Sequence, residues 1–243
     1  MNALDSFLFG IYPYICGAVF LVGSLIRFDR DQYTWKSDSS QLLRTGQLRW
    51  GSYLFHIGVL FLFFGHFFGM LTPHALYEHF ISAGNKQLMA MVSGGIAGTM
   101  AFIGIAVLLH RRLSDPRIRR NSRTSDIVLL WLLLIQLGLG LATIPMSAQH
   151  LDGTMMMALA GWAQHVMTFQ SGAVELLSHV NWVFKLHMVL GMSVFLIFPF
   201  TRLVHVWSGF ASATYALRPY QVVRSRKLNL PSDHLTPDRH VGH

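Results

Sequence analysis

Four histidines lie inside otherwise apolar segments of the chain, and they are the first candidates for chemistry. His56 and His66 fall in LFHIGVLFLFFGHFFGM, residues 54–70, which offers them no acid, lysine, arginine or amide as a partner. His187 and His205 fall in a second apolar segment, near residues 181–206. An ionisable residue in such a segment is costly and is by default a functional candidate, although a neutral imidazole bonded to a carbonyl is the plainer alternative.

The segments that carry these histidines are predicted to be membrane spans. The chain has 243 residues, of which 52% are hydrophobic and only 12% are charged, whereas a soluble domain carries about 25% charged residues. Apolar runs of membrane-spanning length recur, so the fold class is an all-α integral membrane bundle of five transmembrane helices. The predicted spans cover about residues 7–26, 51–71, 87–109, 127–148 and 181–206.

The basic residues predict how these spans cross the membrane. Seventeen of the 19 lysines and arginines follow the first span, the third span or the fifth span. The positive-inside rule therefore puts the N-terminus in the periplasm and the C-terminus in the cytoplasm. The formal charge of +8 then comes from basic flanks on the cytoplasmic side, which would face membrane lipid. No nucleic acid partner is expected. Residues 1–210 form the predicted bundle and residues 211–243 a cytoplasmic tail.

Depth sorts the four histidines into two levels. The second span runs outward, so His56 lies near the cytoplasm and His66 nearer the outer face. The fifth span runs inward, so His187 lies outside and His205 near the cytoplasm. His66 therefore pairs with His187, and His56 with His205, as two stacked bis-imidazole haem sites in a helix bundle require.

Helix geometry supports these levels only in part. His187 and His205 are eighteen residues apart, and a continuous helix would present both on one face, about 27 Å apart along its axis. His56 and His66 are ten residues apart, which gives about 15 Å and leaves them about 80° out of alignment. Straight helices therefore do not match the two levels, which are also too far apart for one metal ion to bind all four histidines.

Haem fits these ligands better than a small metal ion does. Zinc and copper sites usually add thiolates or carboxylates, and no acid lies within any predicted span. The single cysteine, Cys16, excludes a CxxCH attachment and a four-cysteine iron–sulfur cluster within this chain. Gly58, Gly65, Gly69 and Gly191 leave room for a flat macrocycle or, alternatively, allow close helix packing of the GxxxG kind, which GHFFG and GGIAG both fit.

Basic residues near the spans offer two further candidate interactions. Arg111, Arg112 and Arg202 could bind the propionates of the inner haem, or serve only as cytoplasmic membrane anchors. Lys86, at the start of the third span, is one of two basic residues on the outer side. It could be a snorkelling anchor or a hydrogen-bond donor to a quinone oxygen beside the outer haem, where His66 and Gly65 also lie.

Long motifs in the chain resemble the gamma subunit of membrane-bound respiratory nitrate reductase, a diheme cytochrome b. The matching stretches lie in order along residues 9–224: IYPYICGAVFLVGS, QYTW, FHIG, GHFFGMLTPH, IPMSAQHLDG, FKLHMVLGM and RLVHVWS. The resemblance implies that His66 and His187 hold the distal haem b and that His56 and His205 hold the proximal one. It also implies a quinol site that involves Lys86 together with His66 and the neighbouring Gly65.

The resemblance further implies a reaction and its partners. Menaquinol or ubiquinol would be oxidised near the periplasmic face of the bacterial inner membrane. Electrons would pass through the two haems to an iron–sulfur beta subunit and then to a molybdenum alpha subunit, which reduces nitrate to nitrite. The single cysteine already requires any iron–sulfur relay to lie on another chain. The basic cytoplasmic surface would dock such a partner, although lipid headgroups account for the same charge.

Two other functions are compatible with the residues alone. A diheme cytochrome b anchor of another respiratory oxidoreductase would use the same four ligands. A haem-free transporter or assembly anchor would use the histidines as a proton relay, and such relays usually include membrane carboxylates. A reduced-minus-oxidised spectrum separates the second function from the first, because only a haem protein gives a b-type band.

Overall fold

A computed structural model of the chain describes residues 2–30, 45–120 and 122–207. The tail predicted over residues 211–243 lies outside these ranges and stays a prediction. Thr45 is described by its backbone alone.

Five long helices dominate the described residues, which contain no β-strand. They are α1 (Ala3–Arg30), α2 (Thr45–Leu71), α4 (Ala83–Ser114), α6 (Thr124–Ser147) and α8 (Trp182–Ile197). Each belongs to a helical segment that is long and apolar enough to cross a bilayer. Shorter helices connect them: α3 (His74–Tyr77), α5 (Pro116–Arg120) and α7 (Thr154–Met167). The prediction of an all-α protein with five transmembrane helices is confirmed.

Local sequence signals explain where two of these helices begin. The Ser82 hydroxyl accepts a hydrogen bond from the Asn85 amide at the start of α4. The Asn181 side chain does the same for the Val183 amide at the start of α8. Serine and asparagine are preferred at these positions because the first amides of a helix have no carbonyl partner within it.

Helices α2 and α4 pack backbone against backbone through glycines. A methyl group added at Gly58 would lie 2.6 Å from the Ala97 oxygen and 2.8 Å from the Ala101 nitrogen. One added at Gly104 would lie 2.8 Å from the Gly51 oxygen and 2.9 Å from the Phe55 Cα. Because Phe55 precedes His56 in α2, this contact fixes the position of a candidate ligand.

Gly104→Ala is expected to destabilise the protein, because neither backbone can yield without separating α2 from α4. Overpacking of this kind costs about 1–3 kcal/mol. Thermal unfolding of the purified protein measures the effect. Gly94→Ala is the matched control on α4, since a methyl group there would meet nothing within 4 Å; equal melting temperatures for the two variants would show that the contact is not tight.

The fifth membrane span departs from its prediction at its C-terminal end. The α-helix ends at Ile197, and two 3₁₀ turns follow, separated by extended backbone at Thr201. Pro199 lies in the first of these turns, where its missing N–H removes a helical hydrogen bond. The Arg27 guanidinium of α1 donates to the Pro199 carbonyl at 2.6 Å and to the Thr201 carbonyl at 3.0 Å, so it satisfies acceptors that the break exposes.

This break means that the axial rise calculated for a continuous helix does not apply to the fifth span. Of the residues from His187 to His205, only those up to Ile197 belong to the α-helix. The prediction of one helix to residue 206 was wrong because Phe198–Phe200 and Arg202–Val204 form 3₁₀ turns and interrupt the α-helical geometry.

A helix that the sequence analysis did not predict, α7, closes the end of the bundle that carries Lys86, called here the outer end after its predicted orientation. At fourteen residues it is too short to span a bilayer. The Gln164 amide donates to the Met70 carbonyl at 2.9 Å and to the Thr72 carbonyl at 3.3 Å, where α2 ends. The Trp162 indole donates to the Phe9 carbonyl of α1 at 3.0 Å. Helix α7 therefore ties the outer ends of α1 and α2 together.

Gln87 joins the same end of the bundle from α4. Its side-chain nitrogen donates to the Ser147 and His150 carbonyls at 3.1 and 2.6 Å, and its oxygen accepts from the Met156 amide at 3.2 Å. This buried side chain therefore connects α4 with the C-terminal end of α6 and the first turn of α7, next to Lys86.

Candidate functional site

The four histidines of the spans form two close pairs between α2 and the last span. The rings of His66 and His187 have centroids 6.3 Å apart and planes inclined at 42°. The rings of His56 and His205 have centroids 6.2 Å apart and planes inclined at 75°. The structure therefore brings together the same two pairs that the depth argument predicted.

Each of the four rings is fixed by a hydrogen bond from Nδ1 to a backbone carbonyl. His56 bonds to Ser52 at 2.8 Å and His66 to Leu62 at 2.7 Å, both one turn earlier on α2. His187 bonds across to Gln136 on α6 at 3.2 Å, and His205 to Arg202 at 2.6 Å. A carbonyl oxygen can only accept, so Nδ1 carries the proton and Nε2 keeps its lone pair in every ring.

The separation within each pair fits one metal bound between two imidazoles. A metal–nitrogen bond of about 2.0 Å on each side, with each ring centroid about 1.1 Å behind its nitrogen, gives about 6.2 Å between centroids. Metal-bound histidines characteristically donate their other N–H to a carbonyl or carboxylate. Two neutral imidazoles whose lone pairs are on Nε2 are the donor set that a six-coordinate haem iron requires.

Helix α6 supplies no ligand but holds His187 of the outer pair. The Gln136 side chain donates to the His187 carbonyl at 3.1 Å, while its own carbonyl accepts from the His187 ring. One turn later on α6, a methyl group added at Gly140 would lie 3.0 Å from Cε1 of the same ring. Gln136 and Gly140 thus form the surface of α6 against which the His187 ring packs.

The glycines near the ligands divide into two groups. Gly58 packs against α4, and a methyl group at Gly191 would lie 3.0 Å from the Gln136 side-chain nitrogen, so these two serve helix packing. Gly65 and Gly69 of the GHFFG motif have nothing within 4 Å of an added methyl group, so the described residues do not use this motif for packing. Open space therefore flanks His66 on α2.

The predicted propionate partners lie around a carboxylate that the sequence analysis overlooked. Arg112 approaches Oδ2 of Asp126 at 3.4 Å, and Arg202 approaches the same atom at 3.6 Å. Asp126 belongs to the first turn of α6, which begins at Thr124 and not at about residue 127 as predicted, so the helix includes an acid that the predicted span did not. Arg111 is 1% exposed, with its side chain inside the protein. Two guanidinium groups therefore converge on the Asp126 carboxylate, and one of them, Arg202, lies three residues before His205.

Lys86 is buried near the first turn of α4, with only 7% of its surface exposed. Its Nζ has no hydrogen-bond partner among the described residues and lies 3.6 Å from the ring centroid of Tyr77. The other outer lysine, Lys185, approaches the Asp5 carboxylate at 3.3 Å. A snorkelling lysine carries its ammonium group to water, and the burial of Lys86 disagrees with that alternative.

Comparison with known proteins identifies the family. Residues 5–226 match the model of the nitrate reductase gamma subunit family. The chain belongs to that family.

Its relatives cover almost the whole chain. The respiratory nitrate reductase 2 gamma chain of Escherichia coli (strain K12) is 56% identical over 92% of this chain and 98% of its own length. The respiratory nitrate reductase 1 gamma chain of the same organism is 54% identical over 93% of this chain and its full length. The nitrate reductase gamma chain of Bacillus subtilis (strain 168) is 38% identical over 90% of this chain and 97% of its own length.

Membership of the nitrate reductase gamma subunit family confirms the resemblance seen in the motifs. It also confirms that the chain is one subunit of a nitrate reductase complex, with alpha and beta subunits as its partners. The family is a cytochrome b subunit, so haem is its cofactor. Together with the five apolar helices, the family makes this a multi-pass protein of the inner membrane.

The sequence analysis did not find several residues that contact the candidate site residues. Gln136 gave a readable signal, because it is an amide in the middle of an apolar span. Tyr77 and Asp126 gave none, since a tyrosine in a connecting segment and an acid in a first helical turn are both ordinary. Gly140 has no distinguishing feature in the sequence, and only the position of the His187 ring shows what it accommodates.

Gly140→Ala is expected to disturb a haem bound at the outer pair selectively, because the added methyl group must displace the His187 ring. If each pair binds a haem, the electron paramagnetic resonance signal and the midpoint potential of one haem should shift while those of the other stay unchanged. Gly138→Ala is the matched control two residues away, where the methyl group would meet Phe102 at an ordinary 3.6 Å. A shift in both haems, or equal shifts in the two variants, would contradict the assignment.

Proposed function

We propose that this gamma subunit binds two b haems, one between His66 and His187 at the outer level and one between His56 and His205 at the inner level. The observation that carries the proposal is the geometry common to both pairs: the ring centroids are 6.3 and 6.2 Å apart, and each Nδ1 donates to a backbone carbonyl, which places the lone pair on Nε2. A haem iron with two such ligands carries one electron at a time. The levels lie about 15 Å apart along α2.

Lys86, His66 and Gly65 form the proposed quinol site at the outer level. The buried Nζ of Lys86, without a hydrogen-bond partner among the described residues, can donate to an oxygen of menaquinol or ubiquinol. Open space at Gly65 lets a flat ring approach the outer ligand. Oxidation to the quinone releases two electrons, which pass to the haems, and two protons.

His66 contributes to the quinol site as an iron ligand and not as a base. Its Nδ1 proton is held by the Leu62 carbonyl, and its Nε2 is committed to iron in this proposal. Neither ring nitrogen is then available to take a proton from the quinol. Water at the outer face accepts both protons.

Arg112 and Arg202 are the proposed partners of the inner haem propionates. They approach the same Asp126 carboxylate, and guanidinium groups are the side chains that bind carboxylates such as propionates through paired N–H donors. Arg202 also holds His205 through its carbonyl, so it belongs to the surroundings of the inner ligand. Arg111 adds a buried positive charge beside them.

The direction of electron flow follows from the proposed orientation, with the N-terminus in the periplasm and the C-terminus in the cytoplasm. Quinol oxidation at the outer face releases protons into the periplasm, and electrons cross inward through the two haems. An iron–sulfur beta subunit receives them and passes them to the molybdenum of the alpha subunit, where nitrate is reduced to nitrite. The basic cytoplasmic flanks support this orientation. Turnover therefore moves charge across the membrane.

The purified alpha–beta–gamma complex tests the proposal. Haem extracted as its pyridine complex and counted per gamma subunit should give two b haems, and a reduced-minus-oxidised spectrum should give a b-type band. Menadiol, a soluble menaquinol analogue, should reduce both haems, and nitrate should reoxidise them. One haem per intact complex, or haems that menadiol leaves oxidised, would contradict the assignment.

A further inference from the structure

The Lys86 ammonium group lies over the face of an aromatic ring, that of Tyr77. The Lys86 ammonium lies 3.6 Å from the centroid of the Tyr77 ring, within the range over which a ring face attracts a cation. Both residues are buried, at 7% and 9% exposure. Removal from water strengthens such a contact, and no carboxylate in the described part of the chain forms an ion pair with Lys86.

The surroundings of Tyr77 fix its ring in this position. The residue ends α3, and its hydroxyl donates to the Met157 sulfur of α7 at 3.2 Å. The His74 ring packs edge-on at 5.1 Å. Burial, together with the neighbouring Glu78 carboxylate, raises the pKa of the Tyr77 hydroxyl, so this hydroxyl stays protonated and remains a donor.

A ring face is a particular kind of partner for a lysine. A carboxylate or carbonyl would occupy N–H donors of the ammonium group, whereas a π face holds the charge without forming a conventional hydrogen bond. Lys86 is thus fixed in position while its donors remain unused among the described residues. The nearby acid Glu78 pairs with His74 at 2.8 Å.

We propose that Tyr77 is a positioning residue of the quinol site, whose ring holds the Lys86 ammonium so that its N–H groups stay open to a quinone oxygen. This inference rests on the proposed function of Lys86. The ring face carries the role, and the hydroxyl serves only to orient the ring against α7.

Three substitutions in the full complex separate the ring from the hydroxyl. Tyr77→Leu removes the π face and should raise the KM for menadiol roughly tenfold, the effect of losing a desolvated cation–π contact. Tyr77→Phe keeps the face and should stay within about twofold of the parent protein, since the ring that attracts the cation is unchanged. Phe80→Leu is the control in the same connecting segment, where the ring is 90% exposed, and it should leave the KM unchanged.

Two further measurements test whether a change in KM comes only from a general disturbance of the structure. Haem content and nitrate reduction by reduced methyl viologen should be normal in all three variants, because neither depends on the quinol site. Phenylalanines carrying one, two or three fluorines at position 77 keep the size of the ring while weakening its face. The KM for menadiol should rise stepwise along that series, even if Tyr77→Leu fails to assemble.

The outcomes distinguish the proposed role of Tyr77 from the proposed quinol site at Lys86. Normal menadiol oxidation in Lys86→Ala would overturn the quinol site itself. If Lys86→Ala slows menadiol oxidation but the KM for menadiol does not change along the fluorine series, only the role of Tyr77 would be overturned. Equal losses in Tyr77→Phe and Tyr77→Leu would transfer the role to the hydroxyl and its contact with Met157, and would overturn the cation–π assignment.

Discussion

His187→Ala should yield a complex with one b haem per gamma subunit in place of two. Alanine offers no ligand, and the remaining His66 would hold the outer iron from one side only. The inner pair, His56 and His205, lies about 15 Å away along α2, and its rings bond to the Ser52 and Arg202 carbonyls, whereas the outer rings bond to those of Leu62 and Gln136. Haem content and the electron paramagnetic resonance spectrum of the purified complex measure the loss.

The reciprocal substitution tests the same pairing from the other level. His56→Ala should remove the inner haem and leave an outer haem that menadiol still reduces but nitrate no longer reoxidises at the normal rate. His79→Ala, at an exposed position, is the control and should keep both haems. Loss of both haems from an intact complex carrying either single substitution would show that the pairing is wrong.

Lys86→Ala should lower the kcat/KM for menadiol by roughly 10–150-fold, which corresponds to about 1.5–3 kcal/mol for a hydrogen bond from a charged donor. Nitrate reduction by reduced methyl viologen should be unchanged, because that donor feeds electrons into the soluble subunits. The loss with menadiol is expected because Nζ of Lys86 is buried and has no hydrogen-bond partner among the described residues, so it can donate to the quinol.

Lys185→Ala separates a specific effect of Lys86 from a general effect of positive charge at the outer end. Lys185 is the other outer lysine, and it approaches the Asp5 carboxylate. Its substitution should leave menadiol oxidation near the parental rate. If both lysine variants slow quinol oxidation to the same degree, the quinol site at Lys86 is not supported.

The features predicted from the sequence were those that depend on composition and depth. Apolar length gave five spans because a bilayer fixes the number of residues needed to cross it. The direction of each span then ordered His56, His66, His187 and His205 into two levels, and their rings lie together in those pairs. Neither step needed a side-chain rotamer or a helix rotation.

The features that sequence reasoning missed depend on local backbone geometry and on packing between helices. The expected mismatch between the levels assumed an unbroken helix through Pro199, where the chain forms 3₁₀ turns. Gly140 and Tyr77 matter only because of what packs against them, which a single sequence does not encode by residue type. Asp126 was excluded by placing the start of its helix at about residue 127 and not at Thr124, and helix boundaries read from a sequence are uncertain by about two to four residues.

The hydrogen bonds of the ligand rings differ in whether they stay within one helix. His56 and His66 use carbonyls one turn earlier on their own helix, so α2 orients both rings with its own backbone. His187 relies on a carbonyl of α6 instead. For protein design, α2 could therefore be moved alone into a new bundle with both of its imidazoles correctly oriented, whereas His187 would have to be moved together with α6.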